Sequence, residues 1–262
     1  MRRRFPIWSL AALLAAAMVL GPRYARGEAG SFPGFVFHLT PYGESREQEA
    51  FYQGLVIGPR GEAVVPICAI ERATHAIGLF AQGQSATIGE VQAVDEAAGL
   101  ATVRLEGPKP ARSRGPFSPF PPERGHRVQF LNTSRDGTWA VVQCSLRSVE
   151  VVRDLPGLAV VRTTLPLPPP GGVVLDADGR LLGSIAVRFG EGDVGVVVSA
   201  DRIEALKAEP PLNQTLALWS AGREDRWSDS TFAGYLEGVY ACSEGRYGEA
   251  MRLLEEHVGA AG

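Results

Sequence analysis

Three cysteines, four histidines and two groups of carboxylates are the side chains of this 262-residue sequence with the means to do chemistry. A catalytic cysteine needs a base or a cation beside it to hold the thiolate. Cys68 is the cysteine to consider, but His38, His75, His126 and His257 are scattered over strands, turns and the last helix, and none is an evident partner. Cys68, Cys144 and Cys242 each fall in an apolar run or a helix, which predicts small buried hydrophobes. Their odd number leaves at least one outside any internal disulfide, with a Cys68–Cys144 bridge as one possibility. No spacing among them suits zinc or haem. Asp176-Ala177-Asp178-Gly179 begins like a calcium loop, yet Arg180, Leu181 and Leu182 deny it further oxygen ligands, so it reads as a hairpin turn. Glu90, Asp95 and Glu96 have the types for acid–base work but read as the solvated end of a strand. No metal and no cofactor is expected.

The elements that must position these residues are mostly short strands. Runs of Val, Ile, Leu and Phe, punctuated by Gly, Pro and Asp, predict strands at Phe35–Thr40, Phe51–Ile57, Ala63–Pro66, Ala76–Ala81, Ala86–Val94 and Leu100–Leu105. A second set follows at Arg127–Asn132, Ala140–Val151, Leu158–Thr163, Val173–Asp176, Leu181–Val187 and Val194–Val198. Between them, Gly107–Gly125 carries six prolines and must be a connector, because proline cannot donate to a ladder. The fold class is therefore mainly β: two six-stranded barrels or sandwiches joined by a Pro-rich crossover. Asp201–Lys207 has helical spacing and is stopped by Pro210-Pro211. The last fifty or so residues change to helical periodicity at Ser230–Ser243 and Tyr247–Val258, with Gly245 between them. Gly238, Tyr247, Ala250 and Leu254 fall where two antiparallel helices would interlock, and Gly245-x-Tyr247-x-x-Ala250 resembles a single tetratricopeptide-type helix pair. One such pair cannot bury its own face and must pack on something else.

Composition and charge narrow the function. An apolar content of 45% and a charged content of 21% describe a foldable globular chain. The 26 bases and 29 acids give a net charge of −3, and five of the arginines lie in the first 27 residues, so the remainder is near −8. That excludes the basic face a nucleic-acid partner requires. Arg2-Arg3-Arg4, the uncharged run from Phe5 to Gly21 and Ala25-Arg26-Gly27 follow the order of a secretory signal peptide. Residues 1–27 are thus expected to direct the chain to a bacterial periplasm or outside the cell. The run is short of the roughly 20 residues that spanning prefers, so only an uncleaved segment would give a membrane contact.

Three segments carry a resemblance to a known family. Gln53-Gly-Leu-Val-Ile-Gly-Pro-Arg-Gly-Glu-Ala-Val-Val-Pro-Ile-Cys-Ala-Ile-Glu71 resembles the start of a trypsin-like, HtrA/Deg-type serine protease domain, where a strand–turn–strand leads to the general base. Gly89-Glu-Val-Gln-Ala-Val-Asp-Glu-Ala-Ala-Gly-Leu-Ala-Thr-Val-Arg-Leu105 resembles the strand–turn–strand that carries the family's aspartate. Gly171-Gly-Val-Val-Leu-Asp-Ala-Asp-Gly-Arg-Leu-Leu-Gly-Ser184 resembles the segment after the nucleophile. The resemblance covers about Phe35 to Ala208 and implies two six-stranded trypsin-like β-barrels. It divides the chain into a signal peptide (1–27), a double-barrel domain (28–212, connector 107–125) and a tetratricopeptide-like helical hairpin (213–262). No PDZ-type domain follows Ala208, so the peptide-regulatory role of that module is not implied.

The family's catalytic residues do not come with the resemblance. The base aligns with Cys68, the aspartate with Gly99 and the nucleophile with Pro170, so none of the three roles of a Ser–His–Asp site has its residue. Leu165–Gly183 contains no Ser, Thr or Cys that a shifted alignment would bring in. The backbone donors of the oxyanion hole align with Pro168 and Pro170, which have no N–H. The resemblance therefore implies an exported pseudoprotease without catalytic residues. Its partner would be a protein or an extended peptide, bound through the degenerate cleft or the C-terminal helix pair. The alternative is an active serine-type endopeptidase with other catalytic residues. An open cleft beside Pro170 would favour peptide binding, and a filled one a scaffold.

Overall fold

The computed structural model describes residues 34–43, 52–81, 83–107, 117–118, 121–133, 139–223, 227 and 230–260. The expected export segment, residues 1–27, and much of the Pro-rich connector lie outside them. Six strands build the first barrel: β1 (Val36–Tyr42), β2 (Tyr52–Val56), β3 (Glu62–Pro66), β4 (His75–Phe80), β5 (Ser85–Asp95) and β6 (Leu100–Glu106). They run antiparallel in the order β5-β4-β1-β2-β3-β6, and β6 returns to β5 to close the sheet. Alternation does the sorting. Along β1, Phe37 and Leu39 point inward and are wholly buried, and the Phe37 ring meets Phe80 at 5.4 Å between centroids in a tilted pair.

The second barrel contains β7 (Arg127–Thr133), β8 (Trp139–Val151), β9 (Leu158–Thr163), β10 (Val173–Asp176), β11 (Leu181–Phe189) and β12 (Val194–Ser199), closed in the order β10-β11-β12-β9-β8-β7. The predicted strands thus form two six-stranded barrels, each closed so that it leaves few free edges. At the end of the connector, Ser118 donates its N–H to Leu181 O at 2.8 Å and its hydroxyl to Asp176 at 2.7 Å, tying that end to the second barrel.

Five helices are described. The four-residue α1 (Ile67–Ile70) follows β3 directly and was not expected from the sequence. α2 (Ala200–Lys207) is capped by Ser199, whose hydroxyl accepts from Arg202 N, with Asp201 in its first turn and Lys207 in its last. A two-residue strand, β13 (Gln214–Thr215), pairs with β5 and leads into α3 (Leu216–Ala221). α4 (Thr231–Ser243), capped by Ser230, and α5 (Tyr247–Ala260) fold back on each other across Gly245, which sits at φ +73°. Gly238 and Ala250 are buried in their interface, where Gly238 faces Leu253 and Leu254. Tyr247 does not interlock as expected: it stands 67% exposed on the outer face of α5 with Met251. Cys242 is likewise exposed, because it falls on the side of α4 turned away from Leu236 and Ala241, so the expectation of a buried cysteine fails there. All three cysteines are free thiols. No helix among the described residues is long and apolar enough to cross a membrane.

Two apolar cores result. One lies inside the second barrel and is made of its own strands, with Leu167 added. The other fills the first barrel, continues through the seam between the barrels and takes in Trp219, Trp227 and Leu236 from the C-terminal segment.

Candidate functional site

One cluster of contacts joins the three segments that carry Cys68, Gly99 and Pro170. Pro66 ends β3, and Ile67, the first residue of α1, donates its N–H to Gly99 O at 2.9 Å. That bond draws Cys68, the next residue of α1, and the Glu96–Gly99 turn to one end of the first barrel. From the second barrel, Pro170 O accepts the N–H of Gln53 at 2.9 Å. Gly171, at φ +82°, is pressed so closely against β2 and β3 that a Cβ would lie 1.7 Å from Gln53 O and 2.8 Å from Pro66 Cδ. Only glycine fits there.

The chemistry at these positions is sparse. Burial, and then the Glu71 carboxylate nearby, push the Cys68 thiol up to about 12, which keeps it protonated. His38 lies across the β1–β2 ladder from Gln53, and burial lowers its pKa, keeping the ring neutral against the opposing effect of the Tyr52 backbone. His75 is beside Tyr42 at the start of β4, and His126 is exposed beside Glu123. The side chain of His257 lies outside the described residues.

The proline segment on the second-barrel side holds no spare donor. Pro166, Pro168, Pro169 and Pro170 have no N–H. The remaining amides from residue 166 to 172 are committed: Leu167 to Gly192 O at 2.7 Å, Gly171 to Ile185 O at 2.6 Å and Gly172 to Pro169 O at 2.9 Å. Arg188 holds the carbonyl of Leu167 at 3.0 Å, and the Leu167 side chain, buried, lies against Gly195. The wall next to the prolines is thus filled by the segment's own leucine.

The first-barrel side is covered from elsewhere. Trp227 is 3% exposed and lies on Gly99, where a Cβ would come within 2.5 Å of the indole ring. Its backbone N–H donates to the Glu71 carboxylate at 2.6 Å and its indole N–H to Glu96 O at 2.6 Å. Arg223 makes a two-pronged pair with the Glu96 carboxylate at 2.7 and 3.2 Å and stacks on Trp219 at 4.8 Å. The chain then passes to the second barrel. Tyr235 of α4 donates to Asp154, Tyr240 stacks on Phe189 at 4.6 Å between centroids, and Glu244 pairs with Arg162.

These contacts correct one sequence expectation. Asp95 and Glu96 are not a free solvated strand end. Asp95 is bidentate to Arg202 of α2 at 2.7 and 2.9 Å, and Glu96 is held by Arg223; Glu90 lies 3.6 Å from Arg104. Asp178 and Asp176 close the β10–β11 turn. Burial raises the Asp176 pKa, but the Ser118 hydroxyl and the amides of Arg180 and Asp178 outweigh it and hold the carboxyl below its usual range.

Sequence reasoning missed Gln53, Glu71, Arg223 and Trp227. Gln53 is wholly buried and bridges the barrels, since its Nε2 also donates to Leu131 O at 3.2 Å. A polar residue at the head of an otherwise apolar strand run was the available signal for it. Trp227 had none, because its partners are 131 and 156 residues away in sequence.

No family model matches this sequence, and no curated protein matches it either. Solved structures do. The active form of the Rv3671c protease from M. tuberculosis superposes with a TM-score of 0.57 at 14% identity, over 76% of this chain and 92% of that one. Its inactive form gives 0.54 at 15% identity, over 72% and 95%. A variant of the HtrA-type protease AlgW with a tripeptide gives 0.56 at 14% identity, over 68% of this chain and 60% of that one. At such identities the likeness establishes architecture: the chain has the trypsin-like double β-barrel fold of these HtrA-type and related proteases.

Proposed function

We propose that this chain is an exported, catalytically inactive relative of the HtrA-type proteases that serves as a scaffold or protein-binding subunit in the bacterial envelope. The observation that carries the reading is the segment Leu165–Gly172. Its prolines stand where the resemblance puts the nucleophile and both oxyanion donors, and its three remaining amides after Pro166 already have acceptors. Loss of one oxyanion donor typically costs about 100- to 1000-fold in rate, and here neither aligned donor is available. The buried serines of the second barrel offer no substitute. Ser184 is wholly buried, and Ser199 is buried as the cap of α2.

Export rests on the basic–apolar–small order of residues 2–27, and the mature chain begins near Glu28. The α4–α5 hairpin is read as a single tetratricopeptide-like pair whose outer face is available to a protein partner. The covered junction favours a scaffold over a protease-like peptide channel. The test is labelling with a fluorophosphonate together with hydrolysis of unstructured casein. Neither is expected from the wild-type protein. Strong labelling that disappears on mutation of one serine would overturn the reading.

A further inference from the structure

The contact between the C-terminal segment and the first barrel has the polarity of recognition. Around Trp227, among the described residues, the donors lie on the segment: the Trp227 backbone N–H, the indole N–H, the Arg223 guanidinium and the Ser220 hydroxyl. Their acceptors lie on the barrel side: the Glu71 carboxylate and carbonyl, the Glu96 carbonyl and the Glu96 carboxylate. Between those acceptors the floor is Gly99, whose missing side chain makes a flat seat for the indole. Without its occupant the slot would present two carboxylates and a carbonyl around an apolar floor. The chemistry that fills such a slot is a cation followed by an aromatic ring with an N–H. The cis fit also leaves one buried donor, Arg223 Nε, without an acceptor among the described residues. Trp227 lies between α3, which ends at Ala221, and α4, which is capped by Ser230, and belongs to neither of those helices.

We propose that the slot bounded by Glu71, Glu96 and Gly99 is a docking site for a peptide segment that carries an arginine four residues ahead of a tryptophan, and that this chain's own Arg223–Trp227 segment is its resident occupant. The same segment in a second copy of this chain, which carries the same donors, is the ligand in trans. This goes beyond the non-catalytic reading and holds whether or not the junction hydrolyses anything. Fluorophosphonate labelling tests that reading alone, and peptide binding tests this one alone.

The experiment uses the full chain and a fluorescent peptide with the sequence of residues 219–231. The Trp227→Ala protein, with its slot vacated, binds the peptide roughly tenfold or more tightly than wild type does. A peptide carrying Trp227→Ala, and one carrying Arg223→Ala, each lose roughly tenfold or more of that affinity. Hydrogen exchange of the amides at residues 96–100 is faster in the Trp227→Ala protein than in wild type and slows again when the intact peptide binds. If Trp227→Ala does not fold, Trp227→Phe, which keeps a ring and loses the indole N–H, is expected to show the same order. Equal binding of the peptide to variant and wild type, no binding to the folded variant, or indifference to the tryptophan in the peptide would each overturn the proposal.

Discussion

The two barrels share a strand count and a closure rule, yet they finish their cores differently. The second barrel keeps an inner core made of its own strands, with Leu167, from its own proline segment, filling the wall beside that segment, while its other faces join the shared core and carry α4. The first barrel is incomplete without residues made much later. Its core runs out through the seam to Trp219, Trp227 and Leu236, and the turn at Gly99 has an indole for its cover. The difference teaches that one side of the junction is sealed from within and the other by a strap.

The most severe way to break this comparison is at the point where the barrels touch. Gly171→Ala puts a methyl group onto Gln53 O at a backbone angle hostile to side chains, so the barrels must move apart; a loss of about 4 kcal/mol or more is expected from urea unfolding. Next comes the strap. Trp227→Ala should cost about 4 kcal/mol, with faster hydrogen exchange concentrated in α4 and the Glu96–Gly99 turn, and β7, β8 and β10 unchanged. Leu167→Ala should cost about 3 kcal/mol, with the faster exchange confined to the second barrel. If the two variants raise exchange in the same places, the barrels are not separately completed.

A smaller effect is expected where function is the readout. The triple variant Cys68→His, Gly99→Asp, Pro170→Ser should hydrolyse casein no faster than wild type. The aspartate would collide with Trp227, and Pro168 still lacks a donor. Adding Pro168→Gly and Trp227→Ala is the combination most expected to show any activity. The smallest effect separates the cysteines. Iodoacetamide at pH 8 should modify exposed Cys242 and leave Cys68 intact, because a thiol at about 12 is ionised in only about one molecule in ten thousand. Cys144, buried in the second barrel with its thiol raised to about 11, should also resist until the protein is unfolded. Mass spectrometry of the peptides reads the order directly.

Much of the architecture was legible in the sequence because strands alternate and turns announce themselves. Each of the twelve predicted barrel strands has its counterpart, and β12 and α2 meet at a serine that caps the helix. α1 was not legible: four apolar residues after a proline read equally well as the continuation of β3. The two-residue β13 and the short α3 are too brief to carry a period. At the junction, residue types at Cys68, Gly99 and Pro170 gave an expectation about the chemistry there, but not what occupies the space. Tyr247 and Cys242 show the limit of helical spacing, which gives the faces of a helix without saying which of them the rest of the molecule covers.

The strap has a consequence in time. Glu71 and Glu96 belong to the first part of the chain to be made, and Trp227, which closes over them, follows 156 and 131 residues later. Long loops are slow to close, and contacts of such separation form late in folding. A growing chain can therefore assemble both barrels while the slot over Gly99 stands open. Throughout that interval the first barrel presents its acidic slot to whatever chaperone or partner meets it, and the arrival of residue 227 ends the encounter.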